Sequence, residues 1–98
     1  MKISIITPTF NSENFISSNI NSIKIQTYNN FEHIIIDNKS KDKTLEIIKN
    51  EGKNSKIISE SDNGIYHAFN KGITLATGDV ISIINSDDYL ADDKVLEN

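Results

Sequence analysis

Val80-Ile81-Ser82-Ile83-Ile84-Asn85-Ser86-Asp87-Asp88 is the stretch that decides the fold. Its first five residues form an apolar run that reads as a buried strand. Its last two are adjacent carboxylates, placed where that strand ends. In an open α/β sheet, ligands bind in the crevice beyond the carboxyl ends of the strands. Two neighbouring negative charges there are costly unless something positive sits on them. A divalent metal carrying a diphosphate meets that need, because hard cations take carboxylate and phosphate oxygens together. The same polar residues also suit a plain loop leading into a helix cap, so the rest of the chain has to decide.

Working outward, three more apolar runs precede this one: Ile3-Ser4-Ile5-Ile6, Ile34-Ile35-Ile36 and Ile57-Ile58. Ile occurs 19 times, and 11 of these lie in the four runs, which favours fully buried strands over an even helical distribution. The segments between them carry helical spacing. Asn11 or Ser12 can cap a first helix with Phe15, Ile16, Ile20 and Ile23 on one face. Ser40 or Asp42 can cap a second, with Leu45 and Ile48 inward and a stop near Gly52. Ile65, Ala68, Phe69, Gly72, Ile73 and Ala76 predict a third amphipathic helix, closed by Thr77-Gly78. Asp92-Asp93 suits the start of a fourth. The alternation β-α-β-α-β-α-β predicts a parallel sheet with helices on both faces.

Composition narrows the function classes. The chain has 98 residues, enough for one small domain. Its net charge is −4 with no long basic stretch, which argues against nucleic acid as a partner. There is no cysteine, hence no disulfide framework and no thiolate metal site, as fits a cytosolic protein. The apolar run at the N-terminus stops at Thr7-Pro8, too short for a signal peptide, and no segment is long enough to span a bilayer. The glycine fingerprint G-x-G-x-x-G is missing, which argues against NAD or FAD.

Four stretches, taken in order, carry a family resemblance. They are Ile3-Ser4-Ile5-Ile6-Thr7-Pro8-Thr9-Phe10-Asn11, then Ile34-Ile35-Ile36-Asp37-Asn38-Lys39-Ser40-Lys41-Asp42-Lys43-Thr44, then Ser59 through Ile73 continuing to Ala76-Thr77-Gly78-Asp79, and finally Asn85-Ser86-Asp87-Asp88. Together they resemble the nucleotide-sugar-binding half of inverting family 2 glycosyltransferases, of GT-A fold. The third stretch is most similar to enzymes that build capsule, O-antigen or exopolysaccharide units. The resemblance implies a Rossmann-like open parallel sheet in order 3-2-1-4. It also implies transfer of a sugar from a nucleotide-diphosphate donor, a UDP-sugar, to a saccharide or lipid-linked acceptor with inversion.

The residues can be read one by one. Pro8 removes a backbone donor, so the chain is expected to leave the sheet at Thr7-Pro8-Thr9. The resemblance places this loop against the uridine, although an ordinary strand-to-helix turn would look the same. Asp37 ends the second strand, and the resemblance gives it the uracil imide N–H to accept. The alternative is an Asx turn leading to Ser40. The family has Asp-Asp-Gly-Ser here, and Lys39 stands where that glycine suits positive φ. Asp62-Asn63-Gly64 precedes the third helix, whose N-terminus favours an anion. Asn70 and Gly72 match the family's Asn-x-Gly, while Phe69 stands where an arginine is often found. The resemblance thus assigns Thr7, Pro8, Thr9, Asp37, Asp62, Gly64, Asn70 and Ser86 to the donor nucleotide. It assigns Asp87 and Asp88 to Mn²⁺ or Mg²⁺, with Asn85 in place of a first aspartate. Lys41, Lys43, Tyr66 and His67 read as surface or packing residues.

An inverting transfer needs a general base. In the family this acid lies well downstream of the metal motif, and Asp92, Asp93 and Glu97 fall too close to match it. Residues 1–98 are therefore expected to form one partial domain that binds donor and metal without completing catalysis. The expected location is cytoplasmic, peripheral at the inner face of the membrane. The open sheet edge along Val80–Ile84 is expected to self-associate. The rival reading is a non-catalytic α/β nucleotide-binding or interaction module, such as a phosphate-receiving domain. That fold would put paired acids after the first strand, where this chain has Thr7-Pro8-Thr9.

Overall fold

The computed structural model describes residues 1–52, 55–60, 65–90 and 96, and only the backbone of 65–69. In chain order the elements are β1 (Ile3–Thr9), α1 (Ile16–Lys24), β2 (Phe31–Asp37), α2 (Thr44–Glu51), β3 (Lys56–Ser59), α3 (Ile65–Leu75) and β4 (Val80–Ile83). All strand pairs are parallel and their order is β3-β2-β1-β4. This is the expected α/β arrangement.

In the central strands β1 and β2 the isoleucine runs are explained by burial on both faces, whereas β4, expected to be buried, lies at the sheet edge with Val80, Ile81 and Ile83 exposed. Ile34 and Ile36 join Ile6 in one core, against Ile58, Leu75 and Ala76. Ile35, one residue out of phase, joins Ile16, Ile20 and Ile48 in the other. A central strand with apolar neighbours above and below has no polar face to alternate with. Right-handed crossovers account for the layering. The steps β1 to β2 to β3 run one way and lay α1 and α2 together on one face. The return from β3 to β4 passes over the opposite face and lays α3 there. Gly72 lets α3 approach closely, because a Cβ at this position would sit 2.5 Å from Ile6 Cγ2.

The amino end of the sheet is tied by Glu32. Its Oε2 accepts from Ser4 Oγ at 2.5 Å, Thr77 N at 2.6 Å and Thr77 Oγ1 at 3.0 Å, and its Oε1 lies 2.9 Å from Lys56 Nζ. Burial alone would raise its pKa. The bonds from Ser4, Thr77 and Lys56 outweigh that and hold it down at about 2.

Several local expectations are corrected. Pro8 does not end β1, which continues to Thr9 and pairs with β2 as far as Asp37. The reason lies in which neighbour Pro8 faces. Ile84 N donates to Ile6 O, so the alternate residues Ile6 and Pro8 point their backbone toward β4. The β1·β2 ladder therefore loses nothing at Pro8, whereas the β1·β4 ladder ends at Ile6 and Ile83. α1 starts only at Ile16 and has no side-chain cap, so Phe15 precedes the first turn and is exposed. Among the described side chains of α3 the inward residues are Gly72 and Leu75, with Ala76 just past its end, which turns Ile73 outward to 46% exposure. The side chains of Ile65, Ala68 and Phe69, and the proposed fourth helix at Asp92-Asp93, lie outside the described residues.

Candidate functional site

The strand order reverses between β1 and β4, and this is where an open α/β sheet takes its ligand. Pro8 sharpens the opening, because it has no N–H for the next rung to β4. Beyond the carboxyl ends lie the β1–α1 loop, the β2–α2 loop and the turn after β4.

Thr9, Asp37 and Ser59 stand in register across three strands. Asp37 is fully buried and ties the loops together. Its Oδ2 accepts from Ser40 N and Ser59 Oγ, both at 2.9 Å, and its Oδ1 accepts from Ser40 Oγ at 2.5 Å. Ser40 Oγ in turn accepts from Asn11 N at 2.9 Å, and Asn11 Oδ1 accepts from Lys41 N at 2.8 Å. This is the Asx turn. Lys39 has φ 45°, so it keeps the left-handed turn that a glycine would have served. Neither Ser40 nor Asp42 is the N-cap of α2, which is Lys43 with no side-chain cap; Asp42, one residue earlier, accepts from Thr44 N at 2.9 Å and from Glu13 N at 3.2 Å. Burial raises its pKa, but these hydrogen bonds win and lower it.

The threonines differ. Thr7 is fully buried, with Oγ1 2.8 Å from His33 Nε2. Burial pushes His33 down to about 4, so this ring is neutral at pH 7. Thr9 is 5% exposed and its Oγ1 has no hydrogen-bond partner. A buried hydroxyl left without a partner calls for an explanation.

After β4, Asp88 N donates to Asn85 O at 3.0 Å and closes a turn. Ser86 is buried in that turn, its Oγ 2.7 Å from Ser12 Oγ. The side chains of Asn85, Asp87 and Asp88 are exposed. Among the described residues no three His, Cys, Asp or Glu side chains converge on a metal position. The acid pair nevertheless fits an ion held by one or two carboxylates and completed by substrate phosphates and water. Asn70 is exposed on α3, and its backbone oxygen accepts from Thr74 Oγ1 at 2.8 Å. Asp62 and Gly64 lie outside the described residues, as do the side chains of Tyr66 and His67. Lys39, Lys41 and Lys43 are exposed.

Sequence reasoning overlooked Asn19, Ser22 and Gln26, and read Ser12 as a helix cap only. Asn19 Nδ2 donates to Asn85 O at 3.1 Å and Asp88 O at 3.0 Å. Ser22 Oγ accepts from Leu90 N at 3.0 Å, and Gln26 Oε1 accepts from Leu96 N at 3.1 Å. The spacing of Asn19 and Ser22 on α1 and Gln26 just past it, three and then four residues, was the available signal: a polar stripe at helical period beside an apolar one.

Comparison with known proteins agrees with this architecture. An uncharacterized glycosyltransferase of Haemophilus influenzae is 40% identical over 97 residues, covering 95% of this chain and 39% of the relative. The amylovoran biosynthesis glycosyltransferase AmsB of Erwinia amylovora is 33% identical over 104 residues, covering 100% of this chain and 35% of the relative. The chain thus spans between a third and two-fifths of these curated relatives. Among solved structures, S. aureus TarS 1-349 in complex with UDP-GlcNAc aligns with TM-score 0.86 at 29% identity, over 99% of this chain and 29% of that one. The mannosyltransferase PcManGT of Pyrobaculum calidifontis, in complex with GDP-Man and Mn²⁺, aligns with TM-score 0.91 at 24% identity, over 98% of this chain and 30% of that one, a likeness of fold. The family model that matches is that of Glycosyl transferase family 2. Because its match runs from residue 4 to residue 98, the chain belongs to glycosyltransferase family 2.

Proposed function

We propose that this chain supplies donor and metal binding for the transfer of a hexosyl or N-acetylhexosaminyl group from a UDP-sugar, with inversion, to a saccharide or lipid-linked acceptor. The observation that carries the reading is the buried Thr9 hydroxyl, unpartnered and in register with Asp37 at the switch point. A nucleoside entering there would give it the partner it lacks. Asp37 Oδ1 accepts one hydrogen bond from the protein, so it has capacity for the imide N–H of uracil, a donor that cytosine does not offer. Thr7 supports this region from beneath through His33, and Pro8 keeps β4 from closing over it. Ser86, Asn70, Asp62 and Gly64 complete the proposed donor set, in keeping with the resemblance.

Asp87 and Asp88 extend from a turn whose backbone is fixed on α1, and their oxygens are free to take a hard cation. Mn²⁺ or Mg²⁺ there would neutralise the charge developing on the nucleoside diphosphate leaving group. The choice of UDP is supported by the TarS neighbour's complex with UDP-GlcNAc, and a saccharide product by the name of the Erwinia relative. Among the described residues no helix is long and apolar enough to cross a membrane. The reading puts the chain in the cytoplasm, peripheral to a membrane that carries its acceptor.

Calorimetric titration tests this. UDP should bind at least about tenfold more tightly than CDP or GDP, the value of one well-placed hydrogen bond. Mn²⁺ should strengthen UDP binding. Asp37→Ala should remove the preference for UDP, and Asp87→Ala the effect of Mn²⁺, with Asn85→Ala milder because an amide holds a hard cation less well than a carboxylate. Equal affinity of the parent for UDP and CDP would sink the role of Asp37. Equal enhancement by Mn²⁺ in Asp87→Ala and the parent would sink the metal assignment.

A further inference from the structure

α1 is buried on more than its apolar side. Ile16 and Ile20 enter the core, but Asn19 and Ser22, with Gln26 just past the helix, are buried as well. These three polar side chains meet the chain after β4 at residues 85, 88, 90 and 96 through hydrogen bonds to its backbone. Backbone contacts fix where a segment runs without occupying its side chains. The carboxylates of Asp87 and Asp88 thus stay exposed while the turn that bears them is held at both ends.

Asn19 does the holding at that turn. It is fully buried, and one amide nitrogen donates to the carbonyls of Asn85 and Asp88, the residues that bracket Ser86 and Asp87. Its Oδ1 is left without a partner. An orphaned buried acceptor costs stability, against which stand the two carbonyl bonds that a leucine of similar shape would lose. Ser12 holds the same turn from the β1 side through Ser86. Together these bonds fix the backbone of the turn that carries the acid pair.

We propose that Asn19 is a positioning residue for the metal–nucleotide site, setting through the backbone of Asn85 and Asp88 where the carboxylates of Asp87 and Asp88 stand. The proposal rests on the reading that those two carboxylates hold a divalent cation. UDP affinity would be measured with and without Mn²⁺ for the parent, Asp87→Ala, Asn19→Leu, Asn19→Ala and Ser22→Ala, and urea unfolding of each variant would be followed alongside. The readout is the ratio of the two affinities, which general loosening of the fold does not move. Asn19→Leu preserves shape and guards against a failure of Asn19→Ala to fold.

The expected result is that both Asn19 variants lose about tenfold in the Mn²⁺ enhancement, with metal-free UDP binding within about twofold of the parent. Ser22→Ala, which releases Leu90 and leaves Asn85 and Asp88 held, should lower stability and keep the enhancement. If Asp87→Ala loses the enhancement while folded Asn19→Leu keeps it, the positioning role is overturned and the metal reading stands. If Asp87→Ala keeps it, the metal reading itself is overturned and this proposal goes with it.

Discussion

Replacing Glu32 by glutamine should remove a charge on which the amino end of the sheet depends. The carboxylate side chain is 10% exposed, meets Lys56, and accepts from Ser4 and Thr77. Its pKa is held at about 2 against an ordinary 4.5. A carboxylate depressed by that much contributes about 3 kcal/mol at pH 7. The sign follows from proton binding. Between pH 4.5 and 2 the unfolded chain binds the proton that the folded chain refuses, so the contribution is complete above 4.5 and is lost as pH falls toward 2. A domain of this length has roughly 5–15 kcal/mol in all, so the loss would be a large share. Urea unfolding of parent and Glu32→Gln at a series of pH values measures it. The gap should be about 3 kcal/mol at pH 7 and narrow to about 1 kcal/mol at pH 3. A gap that stays constant with pH would refute the reasoning, since it would mean that shape, and not charge, was lost.

Three further outcomes follow from the geometry. His33, held near 4 by burial beside Thr7, must stay neutral in the folded chain, so stability should fall by about 2 kcal/mol between pH 6.5 and 5 and should not do so in His33→Leu. Gly72→Ala should destabilise by about 1–3 kcal/mol in urea, because the new methyl meets Ile6 Cγ2 at 2.5 Å; an unchanged midpoint would show that α3 can lift off β1 freely. Val80, Ile81 and Ile83 are each 42% exposed on an edge strand, and residues 85–90 dock on α1 instead of covering it. An apolar edge is a template for pairing, so a symmetric dimer through β4 is expected, and sedimentation equilibrium at micromolar concentration giving only an 11.0 kDa monomer would reject it.

The centre of the sheet was legible because isoleucine is placed there where both faces are covered, while the apolar run of β4 read as buried and is exposed at the edge. Ile34-Ile35-Ile36 alternates between two cores and still reads as one apolar run, which marks a central parallel strand. Helix faces were less legible. Phe15 fits the helical period of Ile16, Ile20 and Ile23 but lies before the first turn, and hydrophobic period alone does not say where a helix begins. Polar burial along α1 and just past it left no mark but the spacing of a polar stripe. Asn19, Ser22 and Gln26 look like a solvated side until the chain after β4 is seen lying on them, and that contact joins residues more than sixty positions apart.

The candidate site was legible as residue types at strand ends but not as geometry, and Pro8 and Lys39 show why. A proline in a strand reads as an exit, because the missing donor is visible in sequence and the neighbour it would have served is not. Here that neighbour is β4. The loss falls on one side of β1 only, so β1 continues beside β2 to Thr9 and Asp37 while β4 departs toward Asn85. One residue thereby separates the strand bearing the unpartnered Thr9 hydroxyl from the strand leading to the acid pair. Lys39 reads as a changed turn, because a side chain replaces a glycine. The bonds from Ser40 to Asp37 instead hold it at φ 45°, at a cost of about 1–2 kcal/mol, and the turn is kept. In both cases the local rule was sound, and the hydrogen-bonded neighbours that decide its outcome are set only by the order β3-β2-β1-β4.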